Sequence, residues 1–235
     1  MVTENRRLQP RAVPVASPDP VRALPRGVFR NNFAVCGRWS RRYHGYLSIS
    51  KGRAPMPVQL LLALLRNPAS TGAVMPSSRT LANAMAGAAV GADTVVELGA
   101  GTGPVTEALL RRLPGVPLIA VELQPALARR LQARFPTVDV RQAAAKEVVD
   151  GLIERPGRVV LVSSLPFRSL PREVAAETVD SLCRFLAHDG ERKLVQFTYQ
   201  PRAPFAVPRQ LRWHRRAVVW RNTPPAGVWE LQAVR

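Results

Sequence analysis

The residues with the clearest chemical potential form one short stretch, VVELGAGTGPVT, at positions 95–106. It places Glu97 two residues before three alternating glycines, Gly99, Gly101 and Gly103. Where a strand turns into a helix, such a loop directs backbone N–H groups and a helix N-terminus toward the crevice at the strand ends. The stretch therefore predicts a site for a ligand that carries a carboxylate or phosphate.

The neighbouring residues favour one ligand over another. A dinucleotide loop follows G-x-G-x-x-G, but the position of the last glycine holds Pro104, and Glu97 would put a carboxylate near a pyrophosphate. S-adenosylmethionine fits better, because Glu97 can attract its ammonium directly or through water while the loop amides meet its carboxylate. Glu122 ends the next strand-like run, nineteen residues after Gly103, where a carboxylate can accept two hydrogen bonds from a ribose diol.

The elements that must position these residues alternate along the chain. The strand-like runs are TVVEL (94–98), PLIAVEL (117–123), VDVRQ (138–142), RVVLVSS (158–164) and KLVQFTY (193–199). The helical runs between them are PVTEALLRRL, PALARRLQARF, a segment near 145–154, and PREVAAETVDSLCRFLA. This alternation predicts an α/β fold with a parallel sheet covered on both faces. RRAVVWRN and GVWELQAV follow with no helix between them, which predicts an antiparallel hairpin at the sheet edge and a seven-stranded, Rossmann-like sheet.

The chain before this sheet divides in two. Residues 1–55 hold ten arginines and Lys51 against Glu4 and Asp19, together with six prolines, and show no apolar period. We expect them to form a disordered basic leader, with three interpretations open: a natural tail, a transit peptide, or sequence translated ahead of a start at Met56. The predicted domain covers 56–235, with helices in 56–90, and the cofactor-binding and acceptor core in 91–235. The helices are PVQLLLALLR and SSRTLANAMAGAA, the second capped by Ser77 or Ser78.

Net charge and composition limit the classes of partner that the protein can have. The formal net charge is +18, with only three lysines among the basic residues, and favours a polyanionic partner, either nucleic acid or an anionic membrane surface. No run approaches the length of a membrane-spanning helix and no signal peptide is evident, so we expect a cytoplasmic protein. Two cysteines and three scattered histidines predict neither a disulfide scaffold nor a metal site.

Two local features leave several interpretations open. PVQLLLALLR suits a membrane interface or a core-capping helix. Trp213 among basic residues suits a membrane-interface site, an RNA-stacking site or a half-buried strand position.

The sequence resembles the class I S-adenosylmethionine-dependent methyltransferases, and among them the soluble bacterial phospholipid N-methyltransferases. The resemblance covers about residues 60 to 232. It is carried by LRNPASTGAVMPSSRTLANAMA, VVELGAGTGPVTEALL, AVELQPALARRLQARFP, VSSLPFRSLP, VQFTYQP and VVWRNTPPAGVW. The glycine motif is generic, whereas the N-P…G-A-V-x-P-S-S, S-x-L-P-x-x-S-L-P and Q-F-T-Y stretches are typical of the lipid enzymes.

The resemblance implies N-methylation of phosphatidylethanolamine or a related aminolipid toward phosphatidylcholine, by a peripheral membrane protein. The residues it implies for the cofactor are Glu97, Gly99, Ala100, Gly101, Thr102, Gly103, Glu122, Leu123, Ala144 and Ser163. Those implied for the acceptor are Ser77, Ser78, Leu165, Pro166 and Phe167, with Tyr199 and Ser164 as catalytic candidates. Tyr199 would orient or receive the amine, which must lose a proton before it attacks. Methyl transfer of this kind requires no metal.

Two alternatives stay open. The rRNA adenine dimethylases carry N-L-P-F or N-L-P-Y where this chain has S-L-P-F; Phe167 fits that motif, but the hydroxyl of Ser164 cannot replace the paired donor and acceptor of an amide. The second alternative is a non-catalytic relative, because Ala144 stands where the family usually has an Asp that binds the adenine amino group. Losing that bond would weaken cofactor binding by roughly ten- to a hundredfold, unless Gln142 or nearby amides compensate.

Overall fold

The computed structural model of the protein describes residues 78–222 and 224–234. The predictions of a disordered leader at 1–55, of a helix at PVQLLLALLR and of a role for Ser77 lie outside these residues. Within them the chain forms helices α1 (Arg79–Ala88), α2 (Pro104–Arg112), α3 (Pro125–Arg134), α4 (Ala145–Asp150) and α5 (Arg172–His188). The strands are β1 (Thr94–Leu98), β2 (Leu118–Val121), β3 (Asp139–Arg141), β4 (Val159–Ser163), β5 (Lys193–Thr198), β6 (Leu211–Val219) and β7 (Ala226–Ala233).

The strands form one seven-stranded sheet in the order β3-β2-β1-β4-β5-β7-β6. β1 to β5 are parallel, and β7 runs antiparallel to both β5 and β6. The predicted parallel sheet with an antiparallel hairpin at its edge is therefore confirmed. Because β1 lies between β2 and β4, the loops that follow these three strands meet at one edge of the sheet, where ligands of open α/β sheets bind.

Helices cover both faces, as predicted. On one face Leu81, Leu109 and Leu131 of α1, α2 and α3 belong to a buried cluster with Val95 and Val160 of the sheet. On the other face α4 and α5 bury a second set, which includes Val149, Leu182 and Phe185. Strands buried on both sides need continuous apolar runs, which explains why TVVEL and RVVLVSS lack alternation.

Helix α1 begins where its capping residue predicts. The Ser78 hydroxyl accepts a hydrogen bond from the Leu81 amide at 3.2 Å, and the Ser78 amide donates to the Asn222 side chain. The first bond satisfies one of the N–H groups that a helix start leaves unpaired. The second bond ties the start of α1 to the turn between β6 and β7.

The largest differences from the sequence-based boundaries, four residues each, are at the start of β6 and at the end of α4. β6 begins at Leu211, four residues before the predicted RRAVVWRN run, and ends at Val219. Its central charged residues are tolerated because β6 is the edge strand of the described sheet. α4 ends at Asp150 rather than near 154, and the turn that follows is held by the buried Arg192, whose guanidinium donates to the carbonyls of Ile153 and Arg155.

Candidate cofactor and acceptor site

The glycine loop joins the end of β1 to the start of α2. Gly99, Gly101 and Gly103 all adopt positive φ, at 76°, 58° and 88°. A Cβ at Gly99 would lie 3.0 Å from the Leu165 side chain, and one at Gly103 only 2.6 Å from the Phe135 ring. A Cβ at Gly101 would meet nothing within 4 Å. The backbone demands glycine at all three positions, and Gly101 alone faces open space that a ligand can fill.

Most amides of this loop already have partners. Gly99 and Ala100 donate to the Val121 carbonyl, Gly103 donates to Ala100, and Gly101 donates to the Glu122 carboxylate at 2.8 Å. The residue Thr102 is exposed, and its amide donates to none of the described residues. A ligand carboxylate can therefore accept a hydrogen bond from the Thr102 amide, and it reaches the other loop amides only by displacing an internal bond.

Glu97 lies in the centre of the sheet and is fully buried. The Thr106 hydroxyl donates to its Oε2 at 2.6 Å, while Oε1 has no partner among the described residues. Burial raises the pKa of Glu97 to about 8; bonds from Thr106 oppose the shift, and the charge of Glu122 adds to it. A buried carboxyl with an unpaired oxygen marks a site that a cationic or donor group completes.

Glu122 follows β2 and is also buried. Its Oε1 accepts from the Gln124 amide and its Oε2 from the Gly101 amide, both at 2.8 Å. These bonds fix the carboxylate and leave each oxygen one further lone pair. The half-buried Leu123 comes next in the chain. Glu122 can therefore hold the glycine loop and still accept from a diol.

The segment after β4 crosses the glycine loop. The Ser164 amide donates to the Leu98 carbonyl at 2.9 Å, and the Ser163 hydroxyl accepts from the Leu165 amide at 3.3 Å. The Ser164 Oγ is buried and makes no hydrogen bond with the described residues. Since Leu165 also packs on Gly99, the structure brings the predicted acceptor residues Ser164 and Leu165, together with Ser163 of the predicted cofactor set, against the glycine loop.

Gln196 is a candidate that the sequence reasoning left without a role. It pairs with Ser163 across β4 and β5 and is almost fully buried. Its Nε2 donates to the Leu165 carbonyl at 3.2 Å and to the Phe197 carbonyl at 2.9 Å, and its Oε1 lacks a partner among the described residues. In the sequence, Gln196 stands out as a polar amide inside an otherwise apolar strand. Its partner, the Leu165 carbonyl, could be identified only once β4 and β5 were paired.

The aromatic residues near the site fall into two groups. Phe167 packs on Phe205, with ring centroids 4.7 Å apart, and Phe205 meets Trp213 edge-on at 5.1 Å. Trp213 also donates its indole N–H to the Phe205 carbonyl, so of the three interpretations the half-buried strand position is the one observed. Tyr199, directly after β5, is exposed and stands edge-on to Phe197. Of these aromatic residues, Tyr199 is the one whose side chain is exposed.

Three further predicted residues lie at distinct places. Ala144 is the N-cap of α4, just beyond β3, and makes no side-chain cap. Pro166 is half-buried in the acceptor segment, where its carbonyl accepts from Ser169 and Leu170. Ser78 sits at the start of α1 and is bonded to Asn222 rather than to the acceptor segment.

The residues present fit S-adenosylmethionine. Glu97 offers an unpaired oxygen to an ammonium, Gly101 leaves open space, and Glu122 keeps lone pairs for a diol. Ala144 supplies no acceptor for an adenine amino group. Among residues 78–222 and 224–234, no group of three or more His, Cys, Asp or Glu side chains could hold a metal ion. No helix in the same stretch has the length and apolar character needed to cross a membrane.

Comparison with known proteins agrees with this geometry. No family model matches the chain. The chain is 31% identical over 154 residues to an ornithine lipid N-methyltransferase of Singulisphaera acidiphila, which covers 61% of this chain and 78% of that protein. It is 42% identical over 82 residues to a ribosomal RNA small subunit methyltransferase A of Acidobacterium capsulatum, covering 33% of this chain and only 28% of that protein.

The fold also resembles that of solved methyltransferase structures. The structure of a candidate O-methyltransferase from Klebsiella pneumoniae superposes with a TM-score of 0.50 at 15% identity, covering 86% of this chain and 99% of that chain. The chain belongs to the class I S-adenosylmethionine-dependent methyltransferases. S-adenosylmethionine is its cofactor, and the protein is a methyltransferase.

Proposed function

We propose that the protein transfers methyl groups to the amine of a membrane aminolipid, phosphatidylethanolamine or a related lipid, in the direction of phosphatidylcholine. The observation that carries the proposal is the acceptor segment, where Gln196 holds the Leu165 carbonyl and the buried hydroxyl of the preceding residue, Ser164, has no partner among the described residues. Two oxygens of this kind suit the N–H groups of one small amine. The ornithine lipid enzyme, related over most of its length, supports a lipid acceptor.

The proposed chemistry follows from the residues on each side. When bound, S-adenosylmethionine supplies an electrophilic methyl group. Glu97, Glu122 and the Thr102 amide would hold the cofactor, and the Leu165 carbonyl and Ser164 hydroxyl would accept hydrogen bonds from the amine. Such positioning replaces an encounter in solution by an aligned in-line displacement.

Proton balance sets the remaining requirement. The attacking amine must be neutral, because its lone pair forms the new bond to carbon. An ethanolamine headgroup is mostly protonated at neutral pH, so a proton leaves before attack, and the methylated amine must lose another proton before it can react again. Tyr199 lies exposed at the end of β5, where its hydroxyl can orient the headgroup or pass the proton to water.

A ribosomal RNA acceptor is the second candidate, favoured by the net charge of +18 and by the partial likeness to the rRNA enzyme. Two observations weigh against it. Ser164 lacks the amide that reads an adenine edge. Phe167, the ring that would stack on the base, already packs on Phe205.

The test is transfer of labelled methyl in a mixture of total RNA and liposomes that contain phosphatidylethanolamine and an anionic lipid. Lipid and RNA are then extracted and counted separately. We expect label in lipid from the wild type and none from Gly101→Arg, which fills the open face of the glycine loop. Gly115→Arg is the matched control, because Gly115 also has positive φ and open space but lies in the turn after α2.

Each other outcome has a fixed meaning. Label in RNA that also disappears in Gly101→Arg would establish the RNA candidate instead. Absence of label in both fractions, with no cofactor binding by calorimetry, would make the protein a non-catalytic relative and Ala144 the residue to examine.

A further inference from the structure

An exposed tryptophan stands at the tip of the hairpin. Trp220 immediately follows β6 and leaves 77% of its surface accessible, against 37% for Tyr199 and 36% for Val218. Tryptophan is usually well buried in soluble proteins, so a bare indole indicates a contact made outside the described chain.

The turn that carries Trp220 is held in place. The Asn222 amide donates to the Val219 carbonyl, its side-chain nitrogen donates to the Pro224 carbonyl at 2.7 Å, and its side-chain oxygen accepts from Ser78. Asn222 itself is buried. The indole is therefore presented by a bonded turn and not by a loose loop tip.

Register places this turn at the edge of the sheet where the site opens. Val219 pairs with Ala226 at the end of the hairpin, and Gly227 pairs with Thr198 at the end of β5. Because β5 is parallel to β4 and β1, the ends of these strands, the acceptor segment, Tyr199 and the β6–β7 turn all lie along one edge. The indole and the proposed acceptor segment therefore lie at the same edge of the sheet and would meet the same membrane surface.

The strand and the turn that lead to the indole carry several exposed arginines. β6 and the turn expose Arg212, Arg215, Arg216 and Arg221. Arg216 pairs with Glu230, and Arg215 lies over the Trp229 ring. Arg221, adjacent to the indole, forms no ion pair with any described residue. An indole beside an unpaired guanidinium matches the headgroup region of an anionic bilayer, where an amphipathic ring sits at the interface and a cation meets phosphates.

We propose that the β6–β7 turn is a membrane-docking element that places the Trp220 indole in the interfacial layer of an anionic bilayer, with Arg221 at the lipid phosphates. The docking turns the open edge of the sheet toward the headgroups. The inference rests on the proposed function, because docking on a bilayer would bring an aminolipid headgroup to the acceptor segment. Single-stranded RNA is the less suitable occupant, because stacking platforms line several aromatic rings along a basic groove. Among the described residues of the turn, the exposed ones besides Trp220 are Arg221, Pro224 and Pro225, and none of them carries an aromatic ring.

The test measures binding of the full chain to vesicles of phosphatidylglycerol and phosphatidylcholine, without any aminolipid, so that substrate binding plays no part. We expect Trp220→Ser to partition about tenfold more weakly, because a large apolar side chain is lost from the interface, and Trp220→Phe to recover part of the loss. Val90→Ser is the matched control, since Val90 is 55% exposed but lies between α1 and β1, at the opposite edge of the sheet, and it should bind as the wild type does. Bromine-labelled lipid should quench wild-type tryptophan emission more than that of Trp220→Phe.

Three results would overturn the inference. They are equal vesicle binding by the wild type and Trp220→Ser, weaker RNA binding by Trp220→Ser with vesicle binding unchanged, and protection of Trp220 from acrylamide in the free protein, which would mean that another part of the chain covers it. Wild-type methyl transfer to a short-chain, monomeric aminolipid reports on the proposed function separately. If that transfer is absent while Trp220 still docks on vesicles, the proposed function fails and the docking element stands.

Discussion

The proposed cofactor side and the proposed acceptor side of the site are built by different means. Glu97, the glycine loop and Glu122 come from two adjacent strands, and their geometry depends on positive φ angles and backbone amides. The acceptor side depends on side chains from separate strands, of which Gln196 on the Leu165 carbonyl is the clearest case. A loop fixed by its own backbone serves any methyltransferase of the class, whereas side-chain contacts between strands can change with the acceptor. Variants on the two sides should therefore separate cofactor binding from acceptor turnover.

The largest effect is expected from Gly101→Arg on the cofactor side. A side chain at a φ of 58° is strained, and the arginine fills the open face of the loop. Affinity for S-adenosylmethionine, measured by calorimetry, should fall by more than about a hundredfold. Gly115→Arg carries a similar backbone strain elsewhere and should keep the affinity. Equal losses in both variants would mean that strain alone, and not the ligand site, is responsible.

Glu97→Gln tests the buried carboxyl of the cofactor side through pH. The pKa of Glu97 in the folded protein is raised to about 8 from its ordinary value of 4.5, so between these values the native state holds a proton that the unfolded state has lost. The contribution of Glu97 to stability is thus complete below about pH 4.5 and is lost as pH rises through about 8. Relative to Glu97→Gln, the free energy of unfolding of the wild type should fall by up to about 1.4 kcal/mol per pH unit in this window. Denaturant titrations at several pH values measure the difference, and parallel curves for the two proteins would contradict the burial of a neutral carboxyl.

Gln196→Leu addresses the acceptor side. It leaves the Leu165 carbonyl without its amide donor. The lost hydrogen bond contributes roughly 1 to 3 kcal/mol to holding this carbonyl in place. We expect kcat/KM for the aminolipid to fall by about tenfold to a hundredfold while the affinity for S-adenosylmethionine stays within about twofold. Gln132→Leu is the control, because Gln132 makes a similar amide bond to the Val138 carbonyl away from the acceptor segment. If Gln196→Leu weakened cofactor binding as much as turnover, the two sides would not be separable.

Ala144→Asp should produce the smallest change and in the favourable direction. It restores an acceptor for the adenine amino group and caps α4, whose N-cap has no side-chain bond at present. We expect about tenfold tighter binding of S-adenosylmethionine and a small rise in melting temperature. Ala126→Asp, in the first turn of α3, controls for the effect of a negative charge at a helix start. Tighter binding in that control as well would assign the gain to charge alone.

Sequence reasoning reached the cofactor side more fully than the acceptor side, for a physical reason. Glu97, the three glycines and Glu122 are specified by local order along the chain: strand, turn, helix, strand. Gln196 needed the pairing of β4 with β5 before its target, the Leu165 carbonyl, could be known. The sheet, its edge hairpin and the Ser78 cap were predicted, while the roles of the predicted site residues stay predictions.

Trp213 in β6 and Trp220 directly after it show where a better prediction was within reach. In this strand Leu211, Trp213, Ala217 and Val219 are buried or half-buried, whereas the even positions 212, 214, 216 and 218 are exposed, and Arg215 is exposed where the pairing with β7 shifts register. Starting the strand at Leu211 instead of Arg215 would have revealed that alternation. Trp220 would then have been expected on the exposed side, and Trp213 in a half-buried position beside Phe205.

The central claim is that the methyl acceptor is a lipid amine. The most direct measurement expresses the wild type and Gly101→Arg in a host that makes phosphatidylethanolamine but no methylated aminolipid, and compares the lipid extract and the digested ribosomal RNA by mass spectrometry. The account predicts N-methylated aminolipids with the wild type alone and unchanged adenine methylation in the RNA. New dimethyladenine in the RNA, with the lipids unchanged, would contradict it.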